Sequence, residues 1–169
     1  MKSHRVAFVV LLVSFAISGM ASAQISVSSS AFESGGAIPA QFTCKGADHN
    51  PPLRLEGVPR EAKSLVLIVD DPDAPGGLFS HWLIWNIDPG ATEISAKGVP
   101  TGAAQGTNDF GKAGYNGPCP PSGTHRYYFR VFALDRKLDL QSGAKRSALE
   151  SGLKNHVLAR GSLMGRFTH

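Results

Sequence analysis

Two short stretches hold the residues best placed to do chemistry. In "LVLIVDDPDAPGG", residues 65–77, an apolar run ends in three carboxylates, Asp70, Asp71 and Asp73, and His81 follows soon after. In "GPCPPSGTHRY", residues 117–127, prolines and glycines lead into His125 and Tyr127. Carboxylates beside imidazoles steady the rings and favour their protonated form, and a protonated ring with backbone N–H groups can take an oxyanion. The same mixed charge could accept an ammonium. Rigid irregular loops at strand ends are where sites are usually built, and both stretches are of that kind. Each residue also has a plainer reading. Asp71 and Asp73 can cap turn amides, and His81 and His125 can sit at a core edge with one nitrogen satisfied. Asp70 is read as the strand's last residue, outside the site.

The elements around these residues are mostly strands. "SLVLIV", residues 64–69, is a short apolar run bounded by turn signals, the pattern of a strand buried on both faces. "HWLIWNI", residues 81–87, is a second, aromatic and β-branched strand. "HRYYFRVFALD", residues 125–135, is the longest candidate, with His125, Tyr127, Phe129 and Val131 on one face and Arg126, Tyr128, Arg130 and Phe132 on the other. Residues 24–64 read as short extended pieces. The glycine- and proline-rich stretch from Asp88 to Ser122 reads as a long loop, kept ordered by Phe110 and Tyr115. Ser147 and Glu150 have capping-box spacing, and Leu149, Leu153, Val157 and Leu158 recur at helical intervals, which predicts a helix over 147–160. "SLMGRF" reads as a closing strand. The expectation is a single mainly β domain over residues 24–169, in which strands build a sandwich and a helix comes late.

The first 23 residues are set apart. Lys2 and Arg5 precede the apolar run Val6–Ile17, and Ala21-Ser22-Ala23 is a small-residue cleavage signal, the layout of a secretory signal peptide cut after Ala23. That places the protein in the periplasm or outside the cell, with no transmembrane segment after signal removal. In such a compartment the two cysteines, Cys44 and Cys119, admit a disulfide or a pair of small buried thiols. The net charge of +4 is scattered, which gives nucleic-acid binding no support.

Familiar motifs fail. Counted from Asp71 as an EF-hand, the fifth position is Pro75 and the twelfth is Trp82, where oxygen ligands should stand. "GTNDFGKA" has P-loop spacing, but Ala113 replaces the hydroxyl residue, and Gly114, Gly117 and Pro118 exclude the helix that should follow. No nucleophile elbow is present, and no His or Cys pair has zinc-ligand spacing. Neither a metal nor a cofactor is expected.

"DDPDAP" with "HWLIWNI", and later "GPCPPSGTHRYYFRVFALD", resemble the two signature regions of the phosphatidylethanolamine-binding protein family. The similarity is greatest to its bacterial Raf-kinase-inhibitor-like (YbhB/YbcL-type) branch, and "QGTNDFGKAGYNGPCPP" and "HVLARGSLMGRF" carry it through the rest of the chain. The resemblance implies an antiparallel β-sandwich with Greek-key connections and a small anion pocket at one end. It implies Asp71, Asp73, His81, Pro121, His125 and Tyr127 as pocket residues, phosphate-bearing or phosphoethanolamine-like ligands, a cis peptide before Pro75, and a homodimer in bacterial relatives. Cys119 departs from the glycine that eukaryotic members carry before the proline pair. The chain also ends soon after Phe167, without their terminal helix, which favours a head group or small anion over a two-tailed phospholipid.

Three functions follow in order. The first is a non-enzymatic binding protein for a small phosphorylated or anionic ligand. The second is an interaction module that inhibits a protease or another protein partner through the loop from Pro100 to Pro118. The last is a phosphoester hydrolase with His and Asp as general acid and base.

Overall fold

A computed structural model describes residues 23–169. The predicted signal peptide lies, but for Ala23, outside the described residues. Among the described residues, nine strands form two sheets. The larger takes β1 (Ala23–Gln24), β4 (Ser64–Asp71), β5 (Phe79–Ile87), β7 (Ala104–Gln105), β8 (Thr124–Leu134) and β9 (Val157–Thr168). Its order is β1-β9-β8-β4-β5-β7, antiparallel except where β1 runs parallel to β9. The smaller takes β2 (Ser26–Ser28), β3 (Leu53–Glu56) and β6 (Glu93–Ile94), in the order β2-β3-β6.

The strand chemistry explains the layers. Inward residues alternate along each strand, and one apolar cluster draws on both sheets: Val27, Leu55 and Ile94 from the smaller, Leu67, Val69, Trp82, Phe129 and Leu163 from the larger. β4 is buried at all eight positions because it sits mid-sheet with both faces covered. Its outward Val66 and Ile68 join Leu83 and Trp85 under α1 (Arg146–Leu153), which lays Leu149 and Leu153 on them. Full burial of each such leucine stabilises by roughly 2 kcal/mol. β8 alternates as its sequence predicts, with His125, Tyr127, Phe129 and Val131 buried.

Two local expectations are corrected. The helix spans 146–153 rather than 147–160, and Val157 and Leu158 belong to β9. Asn155 takes the left-handed conformation, with φ of 66°, directly after the C-cap Lys154, and that ends the helix before the leucine spacing is used up. Ser147 does not cap it either. The N-cap is Lys145, which makes no side-chain cap bond, and Glu150 pairs instead with Arg146 one turn back. The loop after β5 is also less bare than it reads, since β6 and β7 lie within it. Among the described residues, no helix is long and apolar enough to cross a membrane.

Candidate functional site

At one end of the larger sheet, three strands bring the acidic turn and the histidines together. β4 lies between β5 and β8, so His81 on β5 and His125 on β8 flank Asp71, the last residue of the middle strand. The two histidine strands are therefore separated by the acidic one, not adjacent.

Asp71 uses both carboxylate oxygens. Oδ1 accepts the Asp73 N–H at 2.8 Å, which shapes the turn, and Oδ2 accepts the Nδ1 hydrogen of His125 at 2.7 Å. Gly77 N–H closes the turn onto the Ala74 carbonyl at 2.8 Å, with Gly77 at a φ of 96°. The expected cis bond before Pro75 is absent, and the Ala74–Pro75 peptide is trans. The chain reversal is taken up by a left-handed glycine, so the proline bond need not supply it.

His81 is anchored from the other side. Its Nδ1 donates to the Asn116 carbonyl at 2.7 Å, and burial pulls its pKa below the usual imidazole value. It is thus a neutral ring whose Nε2 lone pair is left over. A carbonyl can only accept, so this tautomer follows from the partner.

The segment that presents Asn116 is organised by buried Asn108. Its Nδ2 donates to Asn116 Oδ1 at 2.8 Å, Gly114 O at 3.0 Å and His81 O at 3.2 Å, while its Oδ1 accepts the Phe110 and Lys112 amides, each at 3.1 Å. The amides that a P-loop would turn toward phosphate are spent on this side chain. That is how "GTNDFGKA" serves the site, as scaffold.

Between these groups lies a cavity of about 340 Å³, lined by Asp71, His81, His125 and Pro121, with Ala74 and Pro75 of the turn, Phe79, Phe110 and Cys119. Phe79, Phe110 and His81 form a cluster of edge-on rings, with centroids 4.8 to 5.4 Å apart. Phe110 is 42% exposed, an apolar ring at the rim. Phe79 and Phe110 escape a motif reading because neither carries a titratable group, and the only signal was an aromatic inside a polar loop.

The opposite wall, residues 117–121, is held by several ties. Cys44 and Cys119 form a disulfide with Cα atoms 5.4 Å apart, which decides between the two cysteine readings. Cys44 N–H donates to Pro118 O at 3.1 Å and Gly117 N–H to Asp48 Oδ1 at 2.7 Å. Gly117 packs so closely that a Cβ there would lie 2.2 Å from the Phe42 carbonyl oxygen, so no larger residue fits.

Two of the six expected pocket residues sit differently. Tyr127 is fully buried behind the cavity, its ring 5.2 Å from His81 and stacked 6.5 Å from His125. Its hydroxyl has no hydrogen-bond partner among the described residues, and burial pushes its pKa up. Asp73 does not line the cavity. It accepts Arg126 Nε at 2.9 Å, Nη2 at 2.6 Å and the backbone N–H at 2.9 Å, and these bonds hold its pKa down at about 2. Asp70 is more than the end of a strand. It is fully buried on the other face of β4, paired with Arg146 and with Arg130 Nε at 3.2 Å.

Chemically, the cavity offers one carboxylate–imidazole pair, one neutral imidazole and a mostly apolar wall. His125, held by Asp71 at Nδ1, turns Nε2 to the cavity as a donor when the ring is protonated, and His81 can accept through its own Nε2. An acid anion that keeps one hydroxyl hydrogen matches that pair of groups. Among the described residues no group of His, Cys, Asp and Glu is arranged to hold a metal ion.

Comparison with known proteins gives the chain's relatives. The family model described as phosphatidylethanolamine-binding protein matches residues 28–168. A UPF0098 protein of Pyrococcus horikoshii is 50% identical over 149 residues, covering 82% of this chain and 74% of that protein. A UPF0098 protein of Chlamydia trachomatis is 42% identical over 146 residues, covering 83% and 97%. Among solved structures, a putative phosphatidylethanolamine-binding protein homologue from Chlamydia trachomatis superposes with a TM-score of 0.83 at 40% identity, covering 88% of this chain and 99% of its own. YbcL of E. coli, described as a member of the mammalian PEBP family, gives 0.81 at 32% identity, with the same coverage.

Proposed function

The chain belongs to the phosphatidylethanolamine-binding protein family, and on that premise we propose that it is an exported, non-enzymatic binding protein whose histidine pocket takes a small phosphate-bearing ligand. The observation that carries this is the Asp71–His125 pair facing neutral His81 across one small cavity. The paired ring donates to a phosphate oxygen, and the neutral ring accepts from a phosphate hydroxyl. The apolar wall of Pro75, Phe79, Phe110 and Pro121 covers whatever carbon the phosphate carries.

Binding without turnover is supported by the lining. It includes no serine, threonine or lysine, and its one cysteine is tied up in the disulfide. Export is supported by the leader-like layout from Lys2 to Ala23.

Calorimetric titration with O-phosphoethanolamine and with inorganic phosphate tests the reading. Wild type should bind both saturably, and His81→Ala should lose both while its melting curve stays cooperative. Absence of saturable binding to wild type refutes it.

A further inference from the structure

Beside the pocket lies an open cleft of about 560 Å³, and the two share His125 as a wall. The cleft is lined further by Arg126, Arg166, Asp73 and residues 122–124. Arg126 on β8 and Arg166 on β9 stand directly opposite each other in the sheet register. Like charges in that position repel. Asp73 compensates only one of them, because its carboxylate is engaged by Arg126 through three hydrogen bonds. Among the described residues no carboxylate pairs with Arg166.

The pocket itself carries little positive charge. Asp71 offsets whatever charge His125 takes up, His81 is neutral, and no lysine or arginine lines the cavity. The pocket can therefore orient an anion but has little net charge to attract one. The unpaired guanidinium on the far side of His125 supplies that charge, and its planar fork suits a carboxylate or phosphate.

We propose that the cleft at Arg166 is a second anion subsite, so that the ligand is a small phosphorylated molecule carrying a second acidic group. This rests on the phosphate reading of the pocket. The phosphate sits between His81 and His125, and the second acid reaches past His125 to Arg166.

O-phosphoserine and O-phosphoethanolamine differ by one carboxylate, and titrating both against wild type, Arg166→Gln and His81→Ala at fixed ionic strength tests the proposal. Wild type should prefer phosphoserine by about tenfold, the size of one charge-assisted hydrogen bond. Arg166→Gln should remove the preference, so that phosphoserine and phosphoethanolamine bind alike, while Arg166→Lys should restore part of it. The backbone bonds of Arg166 to Gly36 and Ile38 survive each substitution, so the variants should melt like wild type. Equal wild-type affinity for the two ligands, with both lost in His81→Ala, overturns the subsite and leaves the pocket reading standing. A preference that persists in Arg166→Gln also overturns it. No binding of either ligand removes the pocket reading and the subsite together. Vesicles of phosphatidylcholine with and without phosphatidylserine separate the ligand's sources. Tight phosphoserine binding without co-sedimentation assigns a free phosphoacid, whose monoester keeps the hydroxyl that His81 accepts. Arg166-dependent co-sedimentation assigns a diester head group and overturns that His81 contact.

Discussion

Asp70 and Asp71 are sequence neighbours whose carboxylates leave β4 on opposite faces. Asp71 faces inward and accepts His125 at the pocket, while Asp70 faces outward and accepts Arg146 at the start of α1. The pleat alone produces this division, since successive side chains alternate across a strand. One acidic turn therefore serves two jobs, and its surplus of charge is explained by two partners on two sides of a sheet.

The division predicts different phenotypes for two similar substitutions. Asp70→Asn removes the buried carboxylate shared by Arg146 and Arg130 and leaves Arg146 only the exposed Glu150, and urea denaturation should show a loss of about 3 kcal/mol. Phosphoethanolamine affinity should hold. Asp71→Asn keeps an acceptor for His125 but replaces one carboxylate oxygen with an amide, which disturbs either the His125 bond or the Asp73 N–H bond, so binding should weaken. If the two variants lose affinity equally, the carboxylates do not divide as described.

The disulfide should act on stability and on the pocket together. It closes a separation of 75 residues, and Cys119 lines the cavity. In the chain-entropy model such a closure is worth about 4 kcal/mol. Both cysteines are exposed, so reductant can reach the bond. Reduction, or the Cys44→Ser/Cys119→Ser double variant, should lower the urea midpoint and weaken phosphoethanolamine binding as the Pro118–Pro121 wall loosens. An unchanged midpoint would rule out the stabilising role.

Much of this was legible in the residues, and the failures have physical causes. The apolar run of β4 and the alternation of β8 follow from periodicity and spacing, while the gathering of Asp71, His81 and His125 in one pocket was what the family resemblance implied. The end of α1 did not, because leucines at helical intervals continue into β9 while a single left-handed Asn155 ends the helix. Asp73 looked like a pocket residue because a one-dimensional motif cannot show that Arg126, a strand away, already holds it. The partner of Asp70 was equally hidden, 76 residues along the chain. Long-range pairs of this kind have no local signal.

Asn108 should prove as important to the pocket as the residues lining it. Its amide is the hub that holds Phe110, Lys112, Gly114 and Asn116 in place, and Asn116 in turn anchors His81. Asn108→Ala leaves several buried backbone groups without partners, at a cost of about 2–3 kcal/mol. Phosphoethanolamine affinity should fall with it, although Asn108 does not line the cavity. Unchanged affinity in a folded variant would show that the loop holds His81 without this hub.

His81 should make stability depend on pH in a direction that burial sets. Desolvation lowers its pKa in the folded protein below the ordinary 6.5, which the unfolded chain recovers. Above that value the ring is neutral in both states and contributes no pH dependence. As pH falls below about 6.5, the unfolded chain takes up a proton that the folded protein refuses, so stability declines until the folded pKa is passed and then levels off. The comparison with His81→Phe isolates this group: the wild-type slope should exceed the variant's. Saturating phosphate should reduce the difference, because the bound acid anion brings a proton into the pocket, shared between its hydroxyl and His81 Nε2, and binds only the folded state. Urea midpoints of both proteins from pH 8 to pH 5, with and without phosphate, measure all four curves. Parallel curves for wild type and variant would mean that His81 titrates as an exposed imidazole, and the neutral acceptor assigned to the pocket would be lost with it.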